Sequence, residues 1–161
     1  MTSTMRGKIV DIFIAAEAQA PMQSVREVHL EPGRGIVGDR YYHAVGTFSE
    51  KLVSSQDFEV TLIESEQINY FNKETGLNLD PGLFRRNIIT SNMDLNSLVG
   101  KQFQIGDVLL EGIRLCEPCS HLAQIVTQEV LPTLVHRAGL RAKIKSGGVI
   151  RTDDLIDDVA K

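Results

Sequence analysis

Lys101-Gln-Phe-Gln-Ile-Gly-Asp-Val-Leu-Leu-Glu-Gly-Ile-Arg114 is the stretch that decides the fold class. Lys101 to Ile105 alternates polar and apolar residues, the period of a half-buried strand. Val108 to Arg114 is a second, more apolar run. Gly106-Asp107 separates the two with turn chemistry, so the segment reads as a β-hairpin.

Outward from this hairpin, short strand candidates recur between turn residues. Gly7-Lys-Ile-Val-Asp-Ile-Phe-Ile-Ala15 reads as a buried strand. Ser24-Val-Arg-Glu-Val-His-Leu30 is strand-like but alternates imperfectly, with Val25 and Leu30 on its apolar side. Gln56-Asp-Phe-Glu-Val-Thr-Leu-Ile63, Phe84-Arg-Arg-Asn-Ile-Ile-Thr90 and Leu140-Arg-Ala-Lys-Ile144 add three more. Ser146-Gly-Gly148 then turns the chain into Val149-Ile-Arg151.

Helical spacing is confined to Glu64 to Glu74, ended by Gly76, to one turn over Asp94 to Val99, and to Ser120 to Val135 with a break near Pro132. Glu31 to Glu50 reads as a long glycine-bearing loop, of the kind that carries function in a compact domain. The acidic C-terminal tail reads as a solvated edge. Many short strands with few helices predict a mostly β protein, a β-barrel with a few short helices, as a single domain over residues 1–161.

Bulk properties narrow the function. The chain has 161 residues, 42% hydrophobic and 24% charged, as in ordinary globular proteins. A net charge of −4 predicts no nucleic-acid partner, so any anion site must be a local group of cations. No apolar stretch approaches the roughly 20 residues that span a bilayer, and the first residues lack a signal-peptide pattern. The expected location is therefore cytoplasmic, without membrane attachment. In that compartment two nearby cysteines point to reduced, redox-active or metal-bound thiols rather than to a structural disulfide.

Both cysteines follow the hairpin, in Leu115-Cys116-Glu-Pro-Cys119-Ser-His-Leu122. Pro118 suits the first turn of a helix, and backbone N–H groups there favour a thiolate at Cys119. Such a thiolate can accept sulfur as a persulfide or act as a soft metal ligand; the plain alternative is a buried, inert cysteine. Cys116 reads either as a resolving thiol or as a small apolar residue at a strand end. Zinc on Cys116, Cys119 and His121 would lack a second ligand pair nearby. If Phe84 to Thr90 is a strand, Arg85 and Asn87 share one face and Arg86 takes the other. Gly35-Ile-Val-Gly-Asp-Arg40 offers backbone N–H groups plus a cation, with Asp39 stabilising the turn or orienting Arg40. His43 is a lone histidine in that loop, most simply facing water. Arg141 and Lys143 would share the outer face of their strand, together with or apart from a ligand.

Gly35-Ile-Val-Gly-Asp-Arg40, Phe84-Arg-Arg-Asn-Ile88, Leu98-Val-Gly-Lys-Gln-Phe-Gln-Ile-Gly106, Cys116-Glu-Pro-Cys-Ser-His-Leu122 and His136-Arg-Ala-Gly-Leu-Arg-Ala142 occur in that order. Together they resemble the MOSC domain, named for the C-terminal domain of molybdenum-cofactor sulfurases, over roughly Lys8 to Ile150. The resemblance implies a compact β-barrel. It implies that Cys119, after proline, is the motif cysteine, either the catalytic thiol that handles sulfur or a metal ligand to molybdenum.

It further implies molybdenum cofactor (molybdopterin) bound through Gly38, Asp39, Arg40, Arg85, Asn87 and Arg141. Related domains bind this cofactor, carry sulfur for it, deliver it without catalysis, or reduce N-hydroxylated compounds with a separate electron donor. The implied activities are thus sulfurtransferase-like or molybdenum-dependent oxidoreductase, with a cysteine desulfurase or a reductase as partner and a small molecule as substrate. Pyridoxal phosphate in the fused sulfurases belongs to a separate domain for which this chain has no room, so it is not expected here.

Overall fold

The computed structural model describes residues 6–17, 20–40, 42, 59–116 and 133–159. Within them the elements run β1 (Gly7–Ile14), β2 (Gln23–Val25), β3 (Glu27–Glu31), β4 (Gly35–Ile36), β5 (Val60–Glu64) and α1 (Ser65–Thr75). A 3₁₀ turn at Pro81–Phe84 leads into β6 (Ile88–Ser91), and a second at Leu95–Leu98 leads into β7 (Gln102–Ile105). β8 (Val108–Leu115), β9 (Leu140–Ser146), β10 (Gly148–Arg151) and β11 (Leu155–Asp158) complete the order.

Seven strands close a mixed barrel in the order β1, β6, β5, β9, β8, β7, β11 and back to β1. The β5–β6 pair is parallel and the other barrel pairings are antiparallel. β2 extends the sheet from β1, while β10, β3 and β4 form a second, three-stranded sheet. The barrel is filled by alternating aliphatic residues such as Ile9, Leu62, Ile88, Leu110, Leu140 and Ile156. A smaller apolar cluster lies under α1, where Phe71 and Phe84 meet edge to face with ring centroids 5.4 Å apart. That contact favours the aromatic quadrupoles as well as burial.

The local chemistry accounts for these elements. The 7–8 hairpin turns on Gly106, whose φ of 56° suits a two-residue turn, and Ile105 pairs with Val108. α1 buries Ile68 and Phe71 and stops at Gly76, a left-handed cap whose N–H donates to the Asn72 carbonyl at 3.0 Å. Among the described residues no helix is long and apolar enough to cross a membrane.

Three expectations are corrected. Ser24 to Leu30 is not one strand: it breaks at Arg26, so that β2 joins β1 and β3 joins β10. That break explains the imperfect alternation. The acidic tail is not a solvated edge but β11, whose Ile156 enters the core and whose backbone bridges β7 and β1. Its aspartates hid a barrel-closing strand because only one of its four side chains, Ile156, is buried. Phe84 to Thr90 is a 3₁₀ end, a left-handed residue and only then a strand.

Two stability predictions follow from buried polar atoms. Thr90 is 0% exposed and, among the described residues, its hydroxyl has no hydrogen-bond partner. Thr90→Val keeps the shape and removes an unsatisfied group, so it is expected to stabilise the fold by about 1 kcal/mol in urea denaturation; a clear loss of stability refutes it. Glu59 is 1% exposed, and its Oε1 accepts the Ile144 N–H at 2.9 Å. Burial pushes its carboxyl above the ordinary 4.5, against the opposing pull of backbone N–H donors and Lys143. Between 4.5 and the raised folded value the native state holds a proton that the unfolded chain has released. The stability this contributes is present below 4.5 and is lost as pH rises through the folded value. Relative to Glu59→Gln, the parent should therefore lose stability with rising pH across that window; a pH-independent difference in denaturation midpoint refutes the assignment.

Candidate functional site

The end of β1 is the junction on which the sequence motifs converge. The Phe13 N–H donates to the Asn87 carbonyl at 2.7 Å, and Asn87 Nδ2 donates to the Phe13 carbonyl at 3.1 Å. Asn87 Oδ1 also accepts from the Thr61 N–H at 3.2 Å and from Thr61 Oγ1 at 3.0 Å. Asn87 is 2% exposed, and its amide locks β1 to β5 just ahead of β6. Just past the end of β1, the Ala15 N–H donates to Asp39 Oδ1 at 3.1 Å. The same oxygen accepts from Arg40 Nη1 at 3.0 Å, so Asp39 ties the Gly35–Arg40 loop to the strand end and orients the arginine. Gly38 has φ 93°, a left-handed conformation, and an added Cβ would lie 3.4 Å from Ile14 Cδ1.

A cleft of about 330 Å³ opens beside this junction. Phe13, Pro21, Met22, Pro81 and Leu83 give it apolar walls, and Asp80 and Arg85 supply charge. Arg40 approaches from behind the wall, with Nη1 3.5 Å from Met22 Sδ. Arg85 caps the first 3₁₀ turn at φ 61°, an uncommon conformation for a residue with a side chain. Its Nη1 donates to the Ala20 carbonyl at 2.7 Å, which aims the guanidinium along the cleft wall. Arg85 and Asn87 therefore do not share a strand face. The left-handed turn at Arg85 breaks the alternation, sending Arg85 to the cleft and Asn87 inward to β1 and β5.

Arg86 does not point to water either. It is buried, with Nε 2.8 Å from the Ala138 carbonyl, Nη1 3.3 Å from the Phe84 carbonyl and Nη2 3.2 Å from the Cys116 carbonyl. Cys116 is buried at the end of β8, and its N–H donates to the Gly139 carbonyl at 2.8 Å. Gly139 has φ 115°, and a Cβ there would fall 2.0 Å from the Leu62 carbonyl oxygen, so only glycine lets β9 start this close to β5. Arg141 follows on the outer face of β9, in register with Thr61 on one side and Arg114 on the other. Lys143 takes the same outer face two residues on.

The fold thus brings Gly38, Asp39, Arg40, Arg85 and Asn87 around the end of β1, and Arg141 joins them through Thr61. Cys119, His43 and His121 lie outside the described residues, as do residues 120–132 of the helix expected over Ser120 to Val135. Thr61, Arg86 and Arg114 are site neighbours that the sequence reading missed or demoted. Thr61 and Arg114 meet Asn87 and Arg141 only through non-local pairing, which leaves no local signal. Arg86 was demoted by an alternation that the chain does not follow. Among the described residues no group of three or more His, Cys, Asp or Glu side chains is placed to hold a metal ion.

Comparison with solved structures places this architecture. The YuaD protein of Bacillus subtilis superposes with a TM-score of 0.82 at 17% identity, covering 100% of both chains. YiiM from Geobacillus stearothermophilus gives 0.73 at 17% identity, over 96% of this chain and 75% of that one. YiiM from Escherichia coli gives 0.69 at 18% identity, over 98% and 71%. At such identities the likeness establishes the fold alone. No curated protein matches the sequence. The MOSC domain family matches residues 26–157, from the start of the small sheet to the strand that closes the barrel, and the chain belongs to that family.

Proposed function

We propose that this protein binds the molybdenum cofactor and handles sulfur through Cys119. The MOSC family is linked to that cofactor. The observation that carries the reading is Arg85 in the wall of an apolar cleft, with the buried Arg40–Asp39 pair behind it against Met22. A phosphate on a flat heterocycle matches such a site: guanidinium groups grip phosphate oxygens in bidentate fashion, while Phe13, Met22 and Pro81 offer faces for a ring. The donor set therefore fits a pterin phosphate. Arg85 would hold the anion, with Arg141 adding positive potential. Asp39 and Asn87 act as braces, since their described hydrogen bonds are made within the protein. Gly38 lets the loop backbone lie close to β1.

In the sulfur-carrying step, the Cys119 thiolate attacks the terminal sulfur of a donor persulfide. A new S–S bond forms at Cys119 and the donor leaves as its thiolate, with no net redox change. A cysteine desulfurase is the matching donor partner. The cofactor, when bound, would supply oxygen-atom transfer at molybdenum, and Cys119 would then serve as a thiolate ligand. Reduction of N-hydroxylated compounds on that route would require a separate reductase, and pyridoxal phosphate has no part in either role of this chain. A cytoplasmic location, with no nucleic-acid or membrane partner, completes the proposal.

The deciding experiment is expression in cells able and unable to make molybdopterin, followed by elemental analysis and pterin fluorescence. Stoichiometric molybdenum and pterin are expected only in the first, and their absence from both preparations defeats the cofactor reading. Arg85→Ala should weaken cofactor retention by about 1–3 kcal/mol, as for a lost charged hydrogen bond, without unfolding the protein; unchanged retention removes Arg85 from the site. Cys119→Ser should abolish persulfide loading or turnover at unchanged far-UV circular dichroism. Cys116→Ala should do less, because Cys116 is buried; the reverse order would exchange their roles.

A further inference from the structure

The cleft wall holds a carboxylate for which a plain anion site has no use. Asp80 and Arg85 flank the 3₁₀ turn Pro81–Phe84, one before it and one after it, and both line the cleft. Such a turn rises about 2 Å per residue, so the two Cα atoms stand roughly 10 Å apart along it. Gly82 lets the turn lie flat on Phe13: an added Cβ would sit 3.0 Å from the ring's Cε1 and 3.2 Å from its Cδ1. Opposite charges therefore mark the two ends of a turn seated on an aromatic ring.

Asp80 has a local task open to it and does not take it. An aspartate ahead of a helical turn ordinarily bends its carboxylate onto the first free N–H groups. Here the side chain makes no capping bond, although the Asp80 carbonyl accepts the Leu83 N–H at 3.0 Å. The carboxylate is exposed, and among the described residues no hydrogen bond or ion pair engages it. A bare anion in the cleft would be repelled by this charge. A ligand with an anion at one end and hydrogen-bond donors at the other uses both ends of the turn.

We infer that Asp80 reads the ring of the bound pterin: its carboxylate accepts the amino and ring N–H groups of the guanidine-like edge, while Arg85 holds the phosphate at the far end. This deepens the proposed function and rests on it. Two adjacent N–H donors meeting two carboxylate oxygens repeat the paired geometry of an arginine–carboxylate fork. Phe13, Met22 and Pro81 keep water from the ring, which strengthens those bonds. Asp80 is then a specificity residue. It favours a ring bearing an amino group over one bearing oxygen at the same position, whose lone pairs would face the carboxylate.

The test uses the full chain from cells unable to make molybdopterin, so that no cofactor competes. Two fluorescent probes, pterin-6-carboxylate and lumazine-6-carboxylate, are titrated by fluorescence anisotropy at one mildly acidic pH where both rings are neutral. They carry the same anionic group and differ in the amino group against oxygen. The parent should bind the pterin at least about tenfold more tightly, as for a hydrogen bond to a charged group gained in one probe and lost in the other. Asp80→Ala and Asp80→Asn should each cut that preference at least about threefold, with far-UV circular dichroism retained.

Equal binding of the two probes by the parent overturns the inference and leaves the cofactor reading standing. So does a folded Asp80 variant that keeps the parent's preference. Should Asp80→Ala not fold, Asp80→Asn decides by itself. A parent that binds neither probe is a different failure: it takes the pterin out of the cleft, and this inference falls with the proposed function.

Discussion

The hydrogen bonds of Asn87 hold the end of the barrel around β1 and β5 together. One side chain and its own backbone join Phe13 at the end of β1 to Thr61 in β5, each bond shielded from water. A buried amide of this kind is costly if any partner is lost, because the abandoned group keeps its desolvation penalty. With every bond made it permits one arrangement of the strand ends. The Gly35–Arg40 loop, the Arg85 turn and the start of β9 are all built on that arrangement.

Polar groups around the junction divide into those that hold and those that can face a ligand. Asp39, Asn87 and Arg86 hold: they are buried, and their described bonds end on the protein's own backbone or on a neighbouring side chain. Arg85 faces outward along a cleft wall, and Arg141 lies on an outer strand face. Rigid braces beneath a few half-buried cations would suit anion recognition, since the cations then lose little freedom when an anion arrives. The protein's overall charge of −4 makes such local concentration the only route to an anion site.

Much of the fold was legible in the residues. The 7–8 hairpin, α1 with its glycine stop and the outer face of β9 follow from period and turn chemistry, which are local. The motif series also pointed to the right family. Three expectations failed, for two reasons. β11 looked like solvent-exposed tail because its aspartates outnumber its one buried isoleucine, yet strand pairing there is made by backbone. The β2–β3 break and the left-handed Arg85 are single-residue reversals of direction that no period reveals, and the latter reassigned three consecutive side chains.

The sequence by itself determined a β-barrel of MOSC type, its glycine-dependent turns and a cysteine motif at the end of a central strand, because each of these is written in spacing and residue type. Only the tertiary structure decided which polar residues brace and which are presented. Asn87 turned inward, Arg86 became a backbone clamp and Arg85 reached the cleft, although the two arginines are adjacent and chemically identical. The reason is physical: a side chain's role follows from the direction its backbone gives it and from the unpaired groups it meets there, and both are supplied by strands distant in sequence.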